Sequence, residues 1–397
     1  MSPDDLKGII DWLIDGARSA RAPSQMMAQA CERLVAGGLP LWRVGVFIQT
    51  LHPEIFGRNF IWRPGADVVA GTADFDIQES PEFKRSPLSI LYEKQQEVRY
   101  RLDDPDSLRF PFFDDMRAEG VTDYIAVPFL FVDGSVHSSS WTTKQPGGFS
   151  DGDIATIRQL VPPLARIVEV TVLRGTATTL LDTYVGNRAG ARILAGQIRR
   201  GHTETMNAVI WLSDLRGFTR LSDRLPSEIV VDILNRYFDC QVEAIKRRGG
   251  EILKFMGDGL LAVFPVTGDN AAAICDQVLE AVHECRARVA DLVYSEGGHT
   301  VERFRFGLAL HIGTVLYGNV GGGNRLDFTC IGPAVNLAAR LEKIAGSLHR
   351  TVVASADFTR LCASANWSDL GEFPIAGFAK AERVFGLKDE IPAAPAP

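Results

Sequence analysis

Cysteine is scarce in this chain. There are six in 397 residues (Cys31, Cys240, Cys275, Cys285, Cys330 and Cys362), and none has the close paired spacing of a zinc site. That excludes a disulfide scaffold and a cysteine-based metal module, and it predicts reduced thiols. The seven histidines are scattered and form no HxxxH pair, so a histidine-based metalloprotease centre is excluded as well. No apolar run approaches the roughly 20 residues of a membrane helix; YIAVPFLFV, residues 124–132, has the length of a buried strand. No long basic run occurs and the formal net charge is −7, which argues against a nucleic-acid partner. The start, MSPDDLKGII, lacks a basic-then-apolar leader. Together these absences predict a cytoplasmic protein without membrane insertion. The rest of the composition is ordinary, 46% apolar and 23% charged, and the length predicts two domains.

The most informative segment is AVIWLSDLRGFT, residues 208–219. Its near-continuous apolar run predicts a buried strand that ends at Ser213-Asp214. Arg216-Gly217-Phe218-Thr219 then turns into a helix predicted over 221–248, whose free N–H groups suit an anion. A second aspartate, Asp258, lies 44 positions after Asp214, in KFMGDGLLAVF. Strands over 251–255 and 260–264 flank it, with Asp258-Gly259 as the hairpin signal. Alone, each aspartate reads as a turn residue. Together, at neighbouring strand ends, they can hold two hard divalent cations over a triphosphate.

A third segment, RLDFTCIGPAVNLAARLE, residues 325–342, predicts a strand over 326–331 and a helix opened by Pro333. Asn336 and Arg340, four apart, share one face of that helix. An amide and a guanidinium there suit a ribose and a phosphate.

These segments, in this order, resemble the catalytic domain of the class III nucleotidyl cyclases over residues 206–389. The resemblance also takes in His311-Ile312-Gly313, Gly318-Asn319-Val320-Gly321 and the closing FPIAGFAKAERVFGL. It implies a ferredoxin-like α+β fold and conversion of ATP to 3′,5′-cyclic AMP and pyrophosphate. Asp214 and Asp258, with the carbonyl of Leu215, match the ligands of two Mg²⁺ or Mn²⁺ ions. Lys254 and Thr329 match the pair that selects the base. Asn336 matches the ribose-orienting amide, and Arg340 the arginine that stabilises the transition state. The backbone of Arg216, Gly217, Phe218 and Thr219 would cradle the phosphates. Family sites are split between two subunits, so the resemblance implies a homodimer.

The base is expected to be adenine. A lysine donates to adenine N1, and a threonine hydroxyl accepts from the exocyclic amine. Cys330 should face the opposite side of the strand from Thr329. Guanylate cyclase remains an alternative, as does a catalytically silent nucleotide-binding regulator. Two departures from the family bear on the latter. Ala376 stands where many members carry a phosphate-binding lysine, with Lys380 three residues past Gly377, and Pro333 replaces a common acidic residue.

Residues 1–170 are predicted as a separate α/β sensory domain. Helices are expected over 6–17, 24–34, 86–96 (capped by Ser86) and 112–119, and strands over 42–50, 59–62, 124–132 and 138–143. A further helix should start near Ser150. The element order and the Phe-Ser-Asp-x-Asp helix start resemble a GAF domain, which implies a small-molecule ligand of unknown identity. Trp42, Phe47, Phe60, Trp62, Phe129, Phe131 and Trp141 are candidate pocket residues, with core packing expected for most. His52 or His137 could ligate haem. Residues 171–205 form a helical transducer in this reading, in which Pro162-Pro163 should start or kink the helix. Residues 390–397 are expected to be a disordered tail.

Overall fold

The computed structural model describes residues 1–323, 325–362 and 364–390; the expected tail, apart from Glu390, lies outside the described residues. The chain divides into two compact units, Met1–Leu180 and Leu181–Pro397.

In the first unit, α1 (Pro3–Ile14) and α2 (Pro23–Ala36) precede β1 (Arg43–Gln49), β2 (Gly57–Trp62) and β3 (Val69–Ala73). Then come α3 (Pro81–Lys84), α4 (Pro87–Lys94), β4 (Val98–Arg101), α5 (Asp114–Ala118), β5 (Asp123–Leu130) and β6 (Val136–Thr143). The long α6 (Asp151–Val185) follows. The strands form one sheet, β3-β2-β1-β6-β5-β4, antiparallel throughout. Alternation along β5 explains its two faces: Ile125, Val127 and Phe129 join the core with α1, α2 and α6, while Tyr124 and Ala126 join the core with α4. The α6 start carries a reciprocal cap. Ser150 Oγ accepts from the Asp153 N–H at 3.2 Å, and the Asp153 carboxylate accepts from the Ser150 N–H at 3.0 Å; such a cap contributes about 1 kcal/mol.

Two local expectations fail here, and a third is narrowed to its alternative of a proline pair within the helix. Pro162-Pro163 do not start a helix but lie inside α6. Buried Leu160, Val161, Leu164 and Ala165 around them anchor the helix to the core and offset the lost hydrogen bonds. Ser86 does not cap α4 through its side chain; its hydroxyl donates to the Phe83 carbonyl at 2.8 Å. The 112–119 helix is shorter, a 3₁₀ turn over Pro111–Phe113 followed by α5.

The second unit opens with α7 (Asn187–Leu194) and then β7 (Thr203–Leu215), α8 (Phe218–Arg224), α9 (Ser227–Arg247), β8 (Glu251–Met256) and β9 (Gly259–Val266). Next are α10 (Ala271–Asp291), the small hairpin β10 (Tyr294–Glu296) and β11 (His299–Val301), β12 (Phe306–Gly322) and β13 (Arg325–Ile331). The unit closes with α11 (Pro333–Ser347), β14 (Val352–Ser355), α12 (Ala356–Leu361), β15 (Trp367–Phe373) and β16 (Glu382–Leu387). The sheet order is β15-β16-β14-β12-β7-β9-β8, with β13 paired to β12. Taken by order of appearance, β12-β7-β9-β8 is a 4-1-3-2 antiparallel arrangement with α9 and α10 as the connecting helices, which is the ferredoxin-like pattern. Both faces are covered. Val209 and Trp211 point into the core with α9 and α10; Ala208, Ile210 and Leu212 point into the core with α7 and α11. This two-sided burial explains why residues 208–212 read as an unbroken apolar run.

The single helix expected over 221–248 is two helices. Pro226 forces Leu225 into extended geometry (φ −110°, ψ 150°) and separates α8 from α9.

Candidate active site

The β7 end and the β8–β9 turn bring Asp214 and Asp258 together. Asp214 pairs in register with Gly259, and the Leu215 N–H donates to the Asp258 carbonyl at 3.3 Å. The turn pair is Gly257-Asp258, not Asp258-Gly259, because Met256 pairs with Gly259. Gly257 supplies the left-handed φ of 65° that a two-residue hairpin needs at its first position. Beside Asp214, buried Ser213 donates to Gln241 Oε1 at 2.7 Å, fixing the strand end to α9.

Burial, then the charges of Asp258 and Glu342, push the Asp214 carboxyl up to about 6, against the opposing pull of Arg216. A divalent cation relieves this crowding of anions. Among the described residues no group of three His, Cys, Asp or Glu is placed to hold a metal ion by itself. Two carboxylates and backbone oxygens are nevertheless a fitting hard-oxygen set for Mg²⁺ or Mn²⁺, which keep waters and substrate phosphates as further ligands.

The arginine of the turn behaves differently from its expected role. The Arg216 N–H is taken by the Arg305 carbonyl at 2.8 Å, so it is not free for a phosphate. Its guanidinium lies 2.8 Å from the Glu342 carboxylate and donates to the Glu342 carbonyl at 3.2 Å. A Cβ at Gly307 would collide with this guanidinium. Gly217, Phe218 and Thr219 open α8, with Gly217 as its N-cap at φ 79°.

Lys254 on β8 is exposed and Thr329 on β13 is half-buried. Cys330 is buried in the core with Phe328, on the face opposite Thr329. The Lys254 ammonium is not solitary: it donates to Asp327 Oδ2 at 2.8 Å. That contact holds the Asp327 carboxyl below its usual range. Asp327 and Thr329 are two apart on one strand and so share a face. Leu316 and Ile331, opposite each other in the β12–β13 register, share that face and are 42% and 41% exposed.

On α11, Asn336 and Arg340 are exposed, while Ala334, Leu337, Ala338 and Leu341 are buried against the sheet. His311 is buried, with Nδ1 2.8 Å from Ser355 Oγ. Asn319 is buried and donates to the Gln197 carbonyl at 2.7 Å, tethering the segment before β7. Lys380 is exposed in the loop before β16.

The residues missed by sequence reasoning are Glu342, Gly307 and Asp327. Each acts through a contact distant in sequence, Glu342 and Gly307 with Arg216 and Asp327 with Lys254, so no local signal marked them.

In the first unit, His137 accepts the Gln49 N–H on Nδ1 at 3.1 Å and approaches Ser135 Oγ with Nε2 at 3.0 Å. Both ring nitrogens are engaged, so it does not ligate haem as placed. Of the candidate aromatics, Phe60 and Trp141 line a cavity, while Trp62, Phe129 and Phe131 are core.

Residues 202–388 match the family model described as adenylate and guanylate cyclase catalytic domain. An adenylate cyclase of Anabaena cylindrica is 33% identical over 149 residues, which is 36% of this chain and 28% of that protein. An uncharacterised protein of Mycobacterium tuberculosis is 32% identical over 196 residues, 49% of this chain and 35% of the other. The chain thus spans about a third of the length of these curated relatives. Among solved structures, the adenylyl cyclase CyaB from P. aeruginosa is 26% identical, covering 48% of this chain and 97% of that one, with a TM-score of 0.40. The guanylyl cyclase Cya2 is 26% identical, covering 47% and 93%, with a TM-score of 0.39. Residues 202–388 therefore form a catalytic domain of the adenylate and guanylate cyclase family.

Proposed function

We propose that this chain is an adenylate cyclase that closes ATP to cyclic AMP, with release of pyrophosphate, at a homodimer interface. In this reading residues 206–389 are catalytic, 171–205 transmit, and 1–170 are a GAF-like domain that regulates. The observation that carries the reading is the Asp214–Asp258 pair: two crowded carboxylates at adjoining strand ends, in one unit with Lys254 and Thr329.

The ribose 3′-oxygen attacks the α-phosphate; the new O–P bond forms as the bond to pyrophosphate breaks. Mg²⁺ or Mn²⁺ held by Asp214 and Asp258, with the Leu215 carbonyl, supplies Lewis-acid polarisation and charge neutralisation. The N–H groups of Gly217, Phe218 and Thr219 bind phosphate oxygens at the start of α8. Asn336 orients the ribose. Arg340 meets charge that develops in the transition state. Lys254 donates to adenine N1 and Thr329 accepts from the exocyclic amine. Lys380 serves the triphosphate in place of a lysine at position 376. The exposed apolar pair Leu316 and Ile331 beside Thr329 supports a partner subunit at this face.

One observation favours a second reading, guanylate cyclase: the Asp327 carboxylate beside Lys254 offers an acceptor for guanine N1–H. Lys254 already engages that carboxylate, and its ammonium offers only donors, so adenine is preferred. The deciding experiment incubates the full chain with ATP or GTP and Mg²⁺ or Mn²⁺ and measures cyclic nucleotide and pyrophosphate. Cyclic AMP from ATP alone upholds the reading. Cyclic GMP from GTP moves it to the second. No product from either, with nucleotide still bound, leaves the silent regulator.

A further inference from the structure

On β2, Arg58, Phe60 and Trp62 alternate onto one face, opposite Ile48, Val46 and Val44 of β1. Those three β1 residues belong to the buried core with α2 and α6. Arg58 therefore occupies a strand position of the core-facing series, where the pattern calls for an apolar residue. What it reaches there is a cavity of ≈ 180 Å³, walled by residues such as Met27, Val46, Trp141 and Val168.

Three donors gather at the Arg58 end of β1 and β2. The first is the guanidinium itself. Elsewhere in this unit Arg63 and Arg99 pair with Glu119 at 3.0 Å and Asp123 at 2.7 Å, but Arg58 has no carboxylate partner among the described residues. The second is Thr50, which lines the cavity and whose Oγ1 is buried without a hydrogen-bond partner among the described residues. The third is His52: its Nδ1 accepts the Glu54 N–H at 3.1 Å, so neutral His52 carries its proton on Nε2. No aspartate or glutamate lines the cavity among the described residues.

We propose that this cavity binds a monocarboxylate with a compact apolar body, the carboxylate held by Arg58, Thr50 and His52. A guanidinium matches the two oxygens of a carboxylate in one plane, and the hydroxyl and the imidazole N–H add neutral donors. A cavity of about 150 Å³ holds a benzene-sized molecule, so this one takes a body of roughly six to eight carbons. The wall includes Val168, Val172 and Thr176 of α6, so occupancy packs against the helix that continues to Val185.

The test titrates the full chain with octanoate, octan-1-ol and acetate at pH 7.5, following tryptophan fluorescence and heat. Octanoate should saturate one site per chain. The alcohol should bind at least about tenfold more weakly for want of the charge-assisted contact, and acetate not measurably. R58A, at an exposed residue, should weaken octanoate about tenfold and leave the alcohol unchanged. V172W, which fills the cavity, should abolish both. Absence of saturable octanoate binding overturns the proposal, as does equal binding of acid and alcohol, or an undiminished preference in R58A. Octanoate binding that persists in a folded V172W places the ligand elsewhere and overturns it as well. If V172W does not fold, the R58A titrations decide alone. Every readout is binding, so the result is independent of whether the second unit makes cyclic AMP.

Discussion

The two sheets differ in how much of their polar chemistry lies inside: the second buries Ser213, His311 and Asn319 but keeps its candidate site residues at the rim, whereas the first buries most of a whole polar strand. In the second unit, the strands Gly259–Val266 and 208–212 are apolar to the core, and polar groups such as Asp214, Asp258 and Lys254 stand at strand ends and on the exposed edge. In the first unit, polar groups lie inside. The strand Val136–Thr143 reads VHSSSWTT and is buried from His137 to Thr143. Asp123 is fully buried and accepts from Arg99 at 2.7 Å and from the Phe149 N–H at 3.0 Å. A sheet that sends its polar chemistry to its rim can be altered there without losing the fold. A sheet that keeps polar groups inside ties fold stability to each of them.

The largest expected effect tests the rim. D258A should lower cyclase turnover by about 10³-fold, as loss of a metal-holding carboxylate does. Without added metal its melting point should not fall, because the change relieves repulsion on Asp214. A melting point several degrees lower would break the contrast.

Next is R340A, expected to cost about 10²–10³-fold in kcat with little change in KM. An equal mixture of R340A and D258A chains should regain about a quarter of wild-type activity, since half of randomly formed dimers are mixed and each has one intact site. No recovery after subunit exchange would show that each site lies within one subunit.

The interior of the first sheet should respond in stability instead. R99A leaves the Asp123 charge buried without its partner and should destabilise the first unit by about 3 kcal/mol, read by denaturant unfolding. A loss under 1 kcal/mol would mean that Asp123 is well solvated after all.

A related change concerns base choice. K254E with T329C should shift preference toward GTP only weakly, because the new glutamate would face Asp327, now 2.8 Å from the lysine. Adding D327N should increase the GTP/ATP ratio of kcat/KM by about tenfold over the double variant. Equal ratios in the double and triple variants would remove Asp327 from base discrimination.

A separate effect on stability is a pH dependence. Burial lowers the His137 pKa to about 4, with the charges of Asp133 and Glu169 pulling the other way. A folded-state pKa below the unfolded value of about 6.5 means that the unfolded chain binds more protons between those values. This contribution is therefore whole above pH 6.5 and is lost as pH falls toward 4. Wild type should lose about 2 kcal/mol more than H137Q over that window. Parallel losses in the two proteins would contradict it.

Much of the second unit was legible because its motifs are local: a strand run, its terminal aspartate and a glycine-flanked partner. The break at Pro226 was visible too, since proline restricts the residue before it; a 3.6-residue periodicity spanning both helices hid it. Asp327, Glu342 and Gly307 were not legible, because each acts through a contact across tens of residues. The first unit was harder still. Pro162 and Pro163 are tolerated in the helix through tertiary packing that no local rule contains. The cavity beside Arg58 depends on which face β2 presents, and that is set by pairing register.

The contact between Arg216 and Glu342 has a mechanical consequence. It joins the turn after Asp214 to the helix that carries Asn336 and Arg340, within one subunit. In a two-fold dimer with the split sites proposed above, those two halves serve different nucleotides. The contact then acts as a strut between the sites: a displacement of the helix that closes one nucleotide site moves the metal turn of the other. The two sites would answer to each other, and a dimer with one strut cut by E342Q would turn over its two substrates as if they were strangers.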